Sequence, residues 1–168
     1  MSDDGAPGRR VSASEMTYPI KPVTVSVDIP ADPDDVFVFV SDTRNDPVWC
    51  PNVSGVSQTS GSGVEVGARF HFDQKVEARG RVLESGVDVE VVELGERTIV
   101  WSVEDRFQTR RITLTVAPAG EGARVTQTTE ASFKRKPGMA KWVYPSMARR
   151  TFREQFSHLV GHFNGLSS

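Results

Sequence analysis

The stretch VTVSVDIPADPDDVFVFVSDTRNDPVWCPNV, residues 23–53, changes its character twice and decides the fold. It opens with alternating apolar and polar side chains, which indicate a half-buried strand. Asp32 can then cap a helix that has Pro33 in its first position, and two further aspartates suit the positive end of a helix dipole. We therefore predict a short helix at about 33–41, although the alternation of Val and Phe in VFVFV by itself favours a strand.

The second half of this stretch is polar and rich in proline, yet it contains a large aromatic residue, Trp49. We predict a second short helical turn that ends near Trp49. The next residue, Cys50, is the only cysteine, so no internal disulfide can form. A cysteine nucleophile needs a neighbouring base, and no histidine is close to Cys50 in sequence. We therefore do not assign a catalytic role to Cys50.

Strands follow one another from Val53 to Phe133. The alternating segments are VSGVSQTS, VEVGARFHFDQKVEARGRV, VDVEVVEL, TIVWSVED, QTRRITLTVAP and ARVTQTTEASF. The short turns GSG, GER and AGEG between such segments are typical of antiparallel hairpins. Together with the first strand, these segments predict a seven-stranded antiparallel sheet.

The period of the apolar residues changes after KRKPG. Apolar side chains then recur at spacings of three and four, at Met139, Val143, Met147, Phe152, Phe156, Leu159 and Phe163. This spacing predicts one long amphipathic helix at about 138–164. Pro145 should kink or divide the helix. Packing the helix across a curved sheet is the simplest way to bury both apolar faces, and this α+β arrangement leaves room for a cavity between them.

Length and charge limit the class of protein. The chain has 168 residues and a net charge of −2, which favours one domain and argues against a general nucleic-acid binder. Residues 1–18 are small and polar, so we predict a disordered tail before a single domain at 19–168. No apolar run approaches the roughly 20 residues that span a bilayer, and the N-terminus lacks the apolar region of a secretory signal. We expect a cytoplasmic monomer.

Several motifs resemble the START-like helix-grip superfamily, also called SRPBCC, and within it the polyketide cyclase/dehydrase and lipid-transport family. The resemblance covers about residues 21–164 and is carried by residues 23–53, by VGARF, by EGARVTQTTEASF and by the terminal helix. The family motif falls on Ile29, Pro30, Val36, Phe37, Asp42, Trp49 and Pro51. The resemblance implies a helix-grip fold, in which a curved sheet wraps around the long C-terminal helix and two short helices follow the first strand. It also implies that Trp49 lies at the open edge of the sheet, where it either caps the core or gates the mouth of a cavity.

The alternation of side chains along each strand identifies those that would line such a cavity. On this basis the predicted ligand-binding residues are Trp49, Phe70, Phe72, Gln74, Trp101, Arg110, Gln127, Met139, Trp142, Val143 and Met147. An apolar pocket with a few polar groups is typical of a small-molecule site. Gln74, Arg110 and Gln127 would orient an oxygen-bearing ligand; alternatively, Arg110 simply pairs with Asp105.

These features predict a protein that binds a small hydrophobic ligand, a lipid or a polyketide-like molecule, as a carrier or sensor. The resemblance implies an alternative, an enzyme of the polyketide cyclase/dehydrase type that acts on a polyketone in the same cavity. The sequence gives no inward histidine and no poised pair of carboxylates for acid–base catalysis, so the catalytic residues stay unassigned.

We predict neither a metal nor a cofactor. His158 and His162 are spaced to share a metal on a helix, but no third ligand accompanies them. The start of the terminal helix is basic, with Lys134, Arg135 and Lys136 before it and Trp142 within it. Such a surface either contacts anionic lipid headgroups or is simply a solvated face.

Overall fold

The computed structural model describes residues 17–78 and 80–166. Most of the predicted tail lies outside these residues, but Tyr18, its last residue, already belongs to a strand. The elements in chain order are β1 (Tyr18–Pro19), β2 (Val23–Ile29), α1 (Pro33–Ser41), a 3₁₀ turn (Thr43–Asn45), α2 (Asp46–Trp49), β3 (Val53–Ser60), β4 (Arg69–Ala78), β5 (Arg81–Leu94), β6 (Thr98–Glu104), β7 (Gln108–Ala119), β8 (Gly122–Phe133) and α3 (Ala140–Leu166).

The sheet is antiparallel, as predicted, with the strand order β1-β8-β7-β6-β5-β4-β3. The strands β1 and β2 both pair with β8, with Tyr18 opposite Phe133 and Val23 opposite Thr129. The eighth strand therefore adds two residues to an edge that β2 already occupies. This explains why the sequence predicted seven strands and the structure has eight.

The first helix forms where its capping residues predicted it. The Asp32 side chain accepts a hydrogen bond of 2.8 Å from the Asp34 backbone N–H, and Pro33 occupies the first turn. Val36 and Val40 are buried on one face of α1, which packs against β7 and β8. The capping signal therefore outweighs the local alternation that favoured a strand.

One strand boundary was predicted wrongly. The segment VEVGARFHFDQKVEARGRV does not form one continuous strand. Its middle forms β4, and its last residues belong to β5, which pairs back on β4 through Ala78 and Arg81. Gly80, between the two strands, has a φ of +71°, a conformation that glycine adopts without a steric penalty. The hairpin was missed because the alternation of the segment continues through Gly80 into β5 without a break.

The terminal helix crosses the inner face of the sheet. It runs through Pro145, so the proline does not divide it as the sequence allowed. Its buried stripe consists of Ala148, Phe152, Phe156, Leu159 and Phe163. Within the described ranges, none of the helices combines the length and the apolar character needed to cross a membrane.

Candidate functional site

A cavity of about 140 Å³ lies between the inner face of the sheet, the segment 43–53 and the middle of α3. The sheet contributes Phe72, Gln74, Val87, Val89, Trp101, Val103, Arg110, Ile112 and Gln127. The segment 43–53 contributes Thr43, Asp46, Trp49, Cys50, Asn52 and Val53, and the helix contributes Thr151, Phe152 and Gln155. The cavity therefore has a rigid strand wall on one side and a wall of short helical turns on the other.

Strand register fixes the sheet wall. Trp101 pairs with Ile112, and Val103 pairs with Arg110, on the neighbouring strands β6 and β7. Because paired residues project to the same face, the Trp101 and Arg110 side chains are diagonal neighbours on the inner face. Gln127 reaches the same face from β8 and donates a hydrogen bond of 3.4 Å from Nε2 to the Thr129 hydroxyl.

The opposite wall depends on Trp49. Its side chain is only 4% exposed, and its ring stacks on Phe156 of α3 with centroids 6.2 Å apart. The 3₁₀ turn before it is held by Asp42, which accepts hydrogen bonds from the Arg44 backbone N–H and from the Arg44 guanidinium. A second link joins this wall to the helix, since Gln155 donates a hydrogen bond of 3.1 Å to the Asn52 side chain. Trp49 therefore both seals the core and lines the cavity.

Several buried polar atoms at this cavity have no hydrogen-bond partner within the described part of the chain. They are the hydroxyl of Thr43, the indole Nε1 atoms of Trp49 and Trp101, and Nε of Arg110. All of these residues line the cavity. A buried polar group without a partner costs about 1–3 kcal/mol, so such groups rarely collect in one place without a reason.

Arg110 lies in a partly buried cluster at the edge of the cavity. Its Nη2 atom is 3.8 Å from Oδ2 of Asp105, which makes a loose ion pair rather than a hydrogen bond. The other carboxylate oxygen of Asp105 accepts from the backbone N–H groups of Phe107 and Gln108, at 2.7 and 2.9 Å. Burial raises the pKa of the neighbouring Tyr144 hydroxyl, and this rise is partly offset by the positive charge of Arg110.

Asp46 is the carboxylic acid among the cavity residues of the segment 43–53. Burial raises the pKa of the Asp46 carboxyl well above its usual range, and the negative charge of Asp42 adds to the rise. The nearby Trp49 indole opposes this rise, although its Nε1 atom does not reach hydrogen-bond geometry with any acceptor among the described residues. Burial also raises the pKa of the Cys50 thiol, which disfavours the reactive thiolate.

The cavity brings together six of the predicted ligand-binding residues: Trp49, Phe72, Gln74, Trp101, Arg110 and Gln127. Phe70 is buried in the core beside the cavity but does not line it. Arg110 lines the cavity and also faces Asp105.

The four predicted residues of the terminal helix lie elsewhere, which corrects their expected position. Met139, Trp142, Val143 and Met147 are 81%, 76%, 49% and 63% exposed. The fully buried part of the stripe begins at Ala148. The half-buried Tyr144 lies one turn earlier on the same face of the helix. Successive helical residues are about 100° apart, so Val143 and Met147 face away from the side that meets the sheet. Val143 and Met147 do share one face of the helix, as their spacing of four predicted. That face does not pack against the sheet, so the prediction that it is buried was wrong.

Sequence reasoning did not assign Thr43, Asp46, Asn52, Thr151, Phe152 and Gln155 to the cavity that they line. On the helix, Thr151 and Gln155 are four residues apart, and Gln155 follows the stripe residue Phe152 by three, so helical spacing is a signal that could have identified this face. In the segment 43–53, no periodic pattern indicates which side chains point inward. Two of the three histidines have other partners: His162 stacks on Phe39, and Nδ1 of His71 lies 2.8 Å from the Asp88 carboxylate on the outer face.

An antiparallel sheet gripping a long C-terminal helix, with two short helices after its first long strand, defines a helix-grip protein of the START-like, or SRPBCC, superfamily. A profile of the family described as polyketide cyclase/dehydrase and lipid transport matches residues 22–163. The chain therefore belongs to that family. The sequence resemblance predicted both the fold and the family correctly.

Solved structures agree on the fold. A START superfamily protein from Mycobacterium smegmatis is 16% identical, with a TM-score of 0.71 over 86% of this chain and 98% of that one. The protein TTHA0849 from Thermus thermophilus is 18% identical, with a TM-score of 0.66 over 88% of this chain and 100% of that one. Major latex-like protein 151 from Panax ginseng is 15% identical, with a TM-score of 0.64 over 85% of this chain and 97% of that one. No curated protein sequence matches the chain at a significant level.

Proposed function

We propose that the protein binds a small hydrophobic ligand in the cavity between the sheet and α3, as a carrier or sensor. The observation that carries this proposal is the cavity itself, whose apolar walls also hold buried polar groups without protein partners among the described residues. In small-molecule sites the apolar walls usually supply contact area, and a few polar groups fix the orientation of the ligand.

The volume of the cavity limits the size of the ligand. A cavity of about 140 Å³ is close to the ~150 Å³ of an engineered cavity that holds benzene. Sites for drug-sized ligands have volumes of roughly 300–1,000 Å³. A ligand of about one ring therefore fits the structure as it stands, whereas a lipid acyl chain or an extended polyketone requires a larger cavity.

Mass spectrometry of the gently purified protein, before and after solvent extraction, tests the binding function. We expect one small molecule per chain that solvent removes. Val103→Phe should abolish this retention because Val103 lines the cavity and the larger ring occupies it. Ser102→Phe is the matched control, since Ser102 is the preceding residue on β6 and is exposed on the other face. Equal retention by both variants would contradict a ligand in this cavity.

An enzymatic function is a second candidate, and the position of Asp46 favours it. A carboxyl group with a raised pKa at the wall of a cavity can act as a general acid or base. Incubation with a short poly-β-ketone should then give a cyclised product, at a rate that Asp46→Asn and Arg110→Ala both lower. Arg111→Ala should leave the rate unchanged, because Arg111 follows Arg110 but pairs with Glu93 on the outer face. Turnover that is insensitive to Asp46→Asn would exclude this role for Asp46.

Contact with an anionic membrane is a third candidate, supported by the exposed apolar side chains at the start of α3. We call this surface the α3 entrance surface; it comprises Met139, Trp142, Val143 and Met147, with Lys141 over the Trp142 ring at 5.2 Å. Apolar side chains flanked by cations suit the headgroup region of an anionic bilayer. Binding to phosphatidylserine vesicles should fall with added salt and after Lys136→Gln and Lys141→Gln substitution. Lys134 is a poorer choice because its Nζ atom is 2.6 Å from the Glu104 carboxylate.

A further inference from the structure

The geometry points to a ligand that carries a carboxylate, or a comparable pair of acceptor oxygens, beside Trp101 and Arg110. This inference rests on the proposed binding function and specifies the chemistry of the ligand. It assigns the apolar part of the ligand to the surrounding aliphatic wall and its oxygens to the indole N–H and guanidinium N–H groups of the sheet.

The polar atoms that lack partners at the sheet wall are donors. The indole Nε1 of Trp101 carries one hydrogen and accepts none, and the same is true of Nε in the Arg110 guanidinium. Both atoms are buried without a partner within the described ranges of the chain. The Trp101 side chain is 6% exposed, so bulk water has little access to it. A ligand that satisfies these groups must supply acceptor atoms.

The strand register brings together the two side chains that carry these donors. Trp101 and Arg110 are diagonal neighbours across β6 and β7, a relation in which Cβ atoms are about 7–8 Å apart. The long indole and guanidinium side chains can bridge that separation from both sides. A carboxylate offers two oxygens on one carbon, which is enough to accept from each donor at once.

Charge favours an anion over a neutral carbonyl at this position. The ionic partner that the structure gives Arg110 is Asp105, at 3.8 Å, and one oxygen of Asp105 is already held by two backbone N–H groups. The guanidinium therefore keeps the capacity for a closer pair. The acidic residue that lines the cavity is Asp46. Burial favours its neutral form, so it repels an incoming anion less than an exposed aspartate would.

The remaining surface of the cavity suits the rest of such a ligand. The side chains beside Trp101 and Arg110 on the sheet are aliphatic: Val87, Val89, Val103 and Ile112. A volume of about 140 Å³ accommodates a single ring with a small substituent. An aromatic or alicyclic monocarboxylate combines both properties.

Benzoate and toluene are matched probes for this inference, because they share a ring and differ in the carboxylate. We expect benzoate to bind the full-length protein at pH 7.5 at least about ten-fold more tightly than toluene, because its carboxylate can accept charge-assisted hydrogen bonds from both donors. Ligand-observed NMR and calorimetry measure both affinities. Equal or tighter binding of toluene would overturn the inference and leave the cavity as an apolar binding site.

Substitutions locate the carboxylate. Arg110→Met keeps an unbranched stem and removes the guanidinium, so it should abolish the preference for benzoate while toluene binding stays. Arg111→Met is the matched control and should change neither affinity. An unchanged benzoate affinity in Arg110→Met would also overturn the inference. If Arg110→Met fails to fold, Arg110→Lys keeps the charge, removes the Nε donor and should still weaken benzoate binding.

Failure of the inference differs from failure of the proposed function. If neither probe binds at millimolar concentration, the one-ring carboxylate is excluded. The binding function is then decided independently by the mass spectrometry of retained ligand in the Val103→Phe and Ser102→Phe variants.

Discussion

The two halves of α3 are both rich in apolar side chains, and they bury them to opposite extents. The first half exposes Trp142, Val143 and Met147, whereas the second half buries Phe152, Phe156 and Phe163 against the sheet and the short helices. Met147 is 63% exposed and the next residue, Ala148, is 8% exposed, because the two residues lie on different faces of the helix. The difference teaches that an apolar period predicts a helix, while the phase of that period relative to the sheet decides which residues are core.

The largest expected difference in the free energy of unfolding is between a variant at Phe156 and a variant at Met147. Phe156→Ala should lower the free energy of unfolding by about 3–5 kcal/mol, because it removes a buried ring that packs on Trp49. Met147→Ala should change it by no more than about 0.5 kcal/mol. Urea denaturation of both variants measures the difference, and comparable losses would mean that the two halves are equally packed.

Substitutions at neighbouring positions test directly which face of α3 is buried. Ala148→Asp should lower the free energy of unfolding by about 3 kcal/mol, because a charge enters the buried side of the helix. Met147→Asp also places an aspartate inside the helix but keeps its charge in water. Thermal unfolding of the two variants should therefore differ clearly. A Met147→Asp variant that melts as early as Ala148→Asp would mean that Met147 also lies on the buried face of the helix.

A smaller effect is expected where the second half of α3 covers α2. The pKa of Asp46 is raised above its usual value of 3.8 in the folded state, so the folded state loses stability relative to the unfolded state as the pH rises through that raised pKa. Asp46→Asn should therefore stabilise the protein at pH 8, with a gain that shrinks towards pH 4. Melting temperatures across this pH range measure the gain. Glu121→Gln, in the exposed turn before β8, is the control and should not show the same trend.

The smallest effect on stability should come from Trp142→Ala on the α3 entrance surface. Its side chain is 76% exposed, so we expect a change within about 0.5 kcal/mol in the free energy of unfolding. The same substitution should weaken sedimentation with phosphatidylserine vesicles if this surface contacts membranes. A large loss of stability would mean that the first half of α3 is packed after all.

Signals within a few residues of each other predicted the local structure well. Asp32 and Pro33 located α1, and side-chain alternation placed Phe72, Trp101 and Arg110 on the inner face. These signals succeed because capping and strand parity depend on neighbouring residues alone. The turn at Gly80 was missed because the alternation VEARGRV continues through it without a break.

Features that depend on distant contacts were harder to predict. The orientation of the segment 43–53 is fixed by Trp49 against Phe156 and by Asn52 against Gln155, which are far apart in the chain. Without those contacts, Thr43 and Asp46 cannot be assigned to a cavity. The same limit applies to the phase of α3, which is set by the sheet and not by the helix itself.

The pairing of β2 with β8 has a consequence for the order of folding. Thr24 and Thr128 share a hydrogen bond across this pair, although 104 positions separate them. During synthesis, β2 and α1 can therefore pack on their partner strand β8 only after nearly all of the sheet has been made. Closing such a long loop costs entropy, and chains dominated by distant pairings fold slowly. The strand wall can form by successive hairpins, so we expect the wall that contains Trp49 to dock after it and the cavity to be the last part of the molecule to mature.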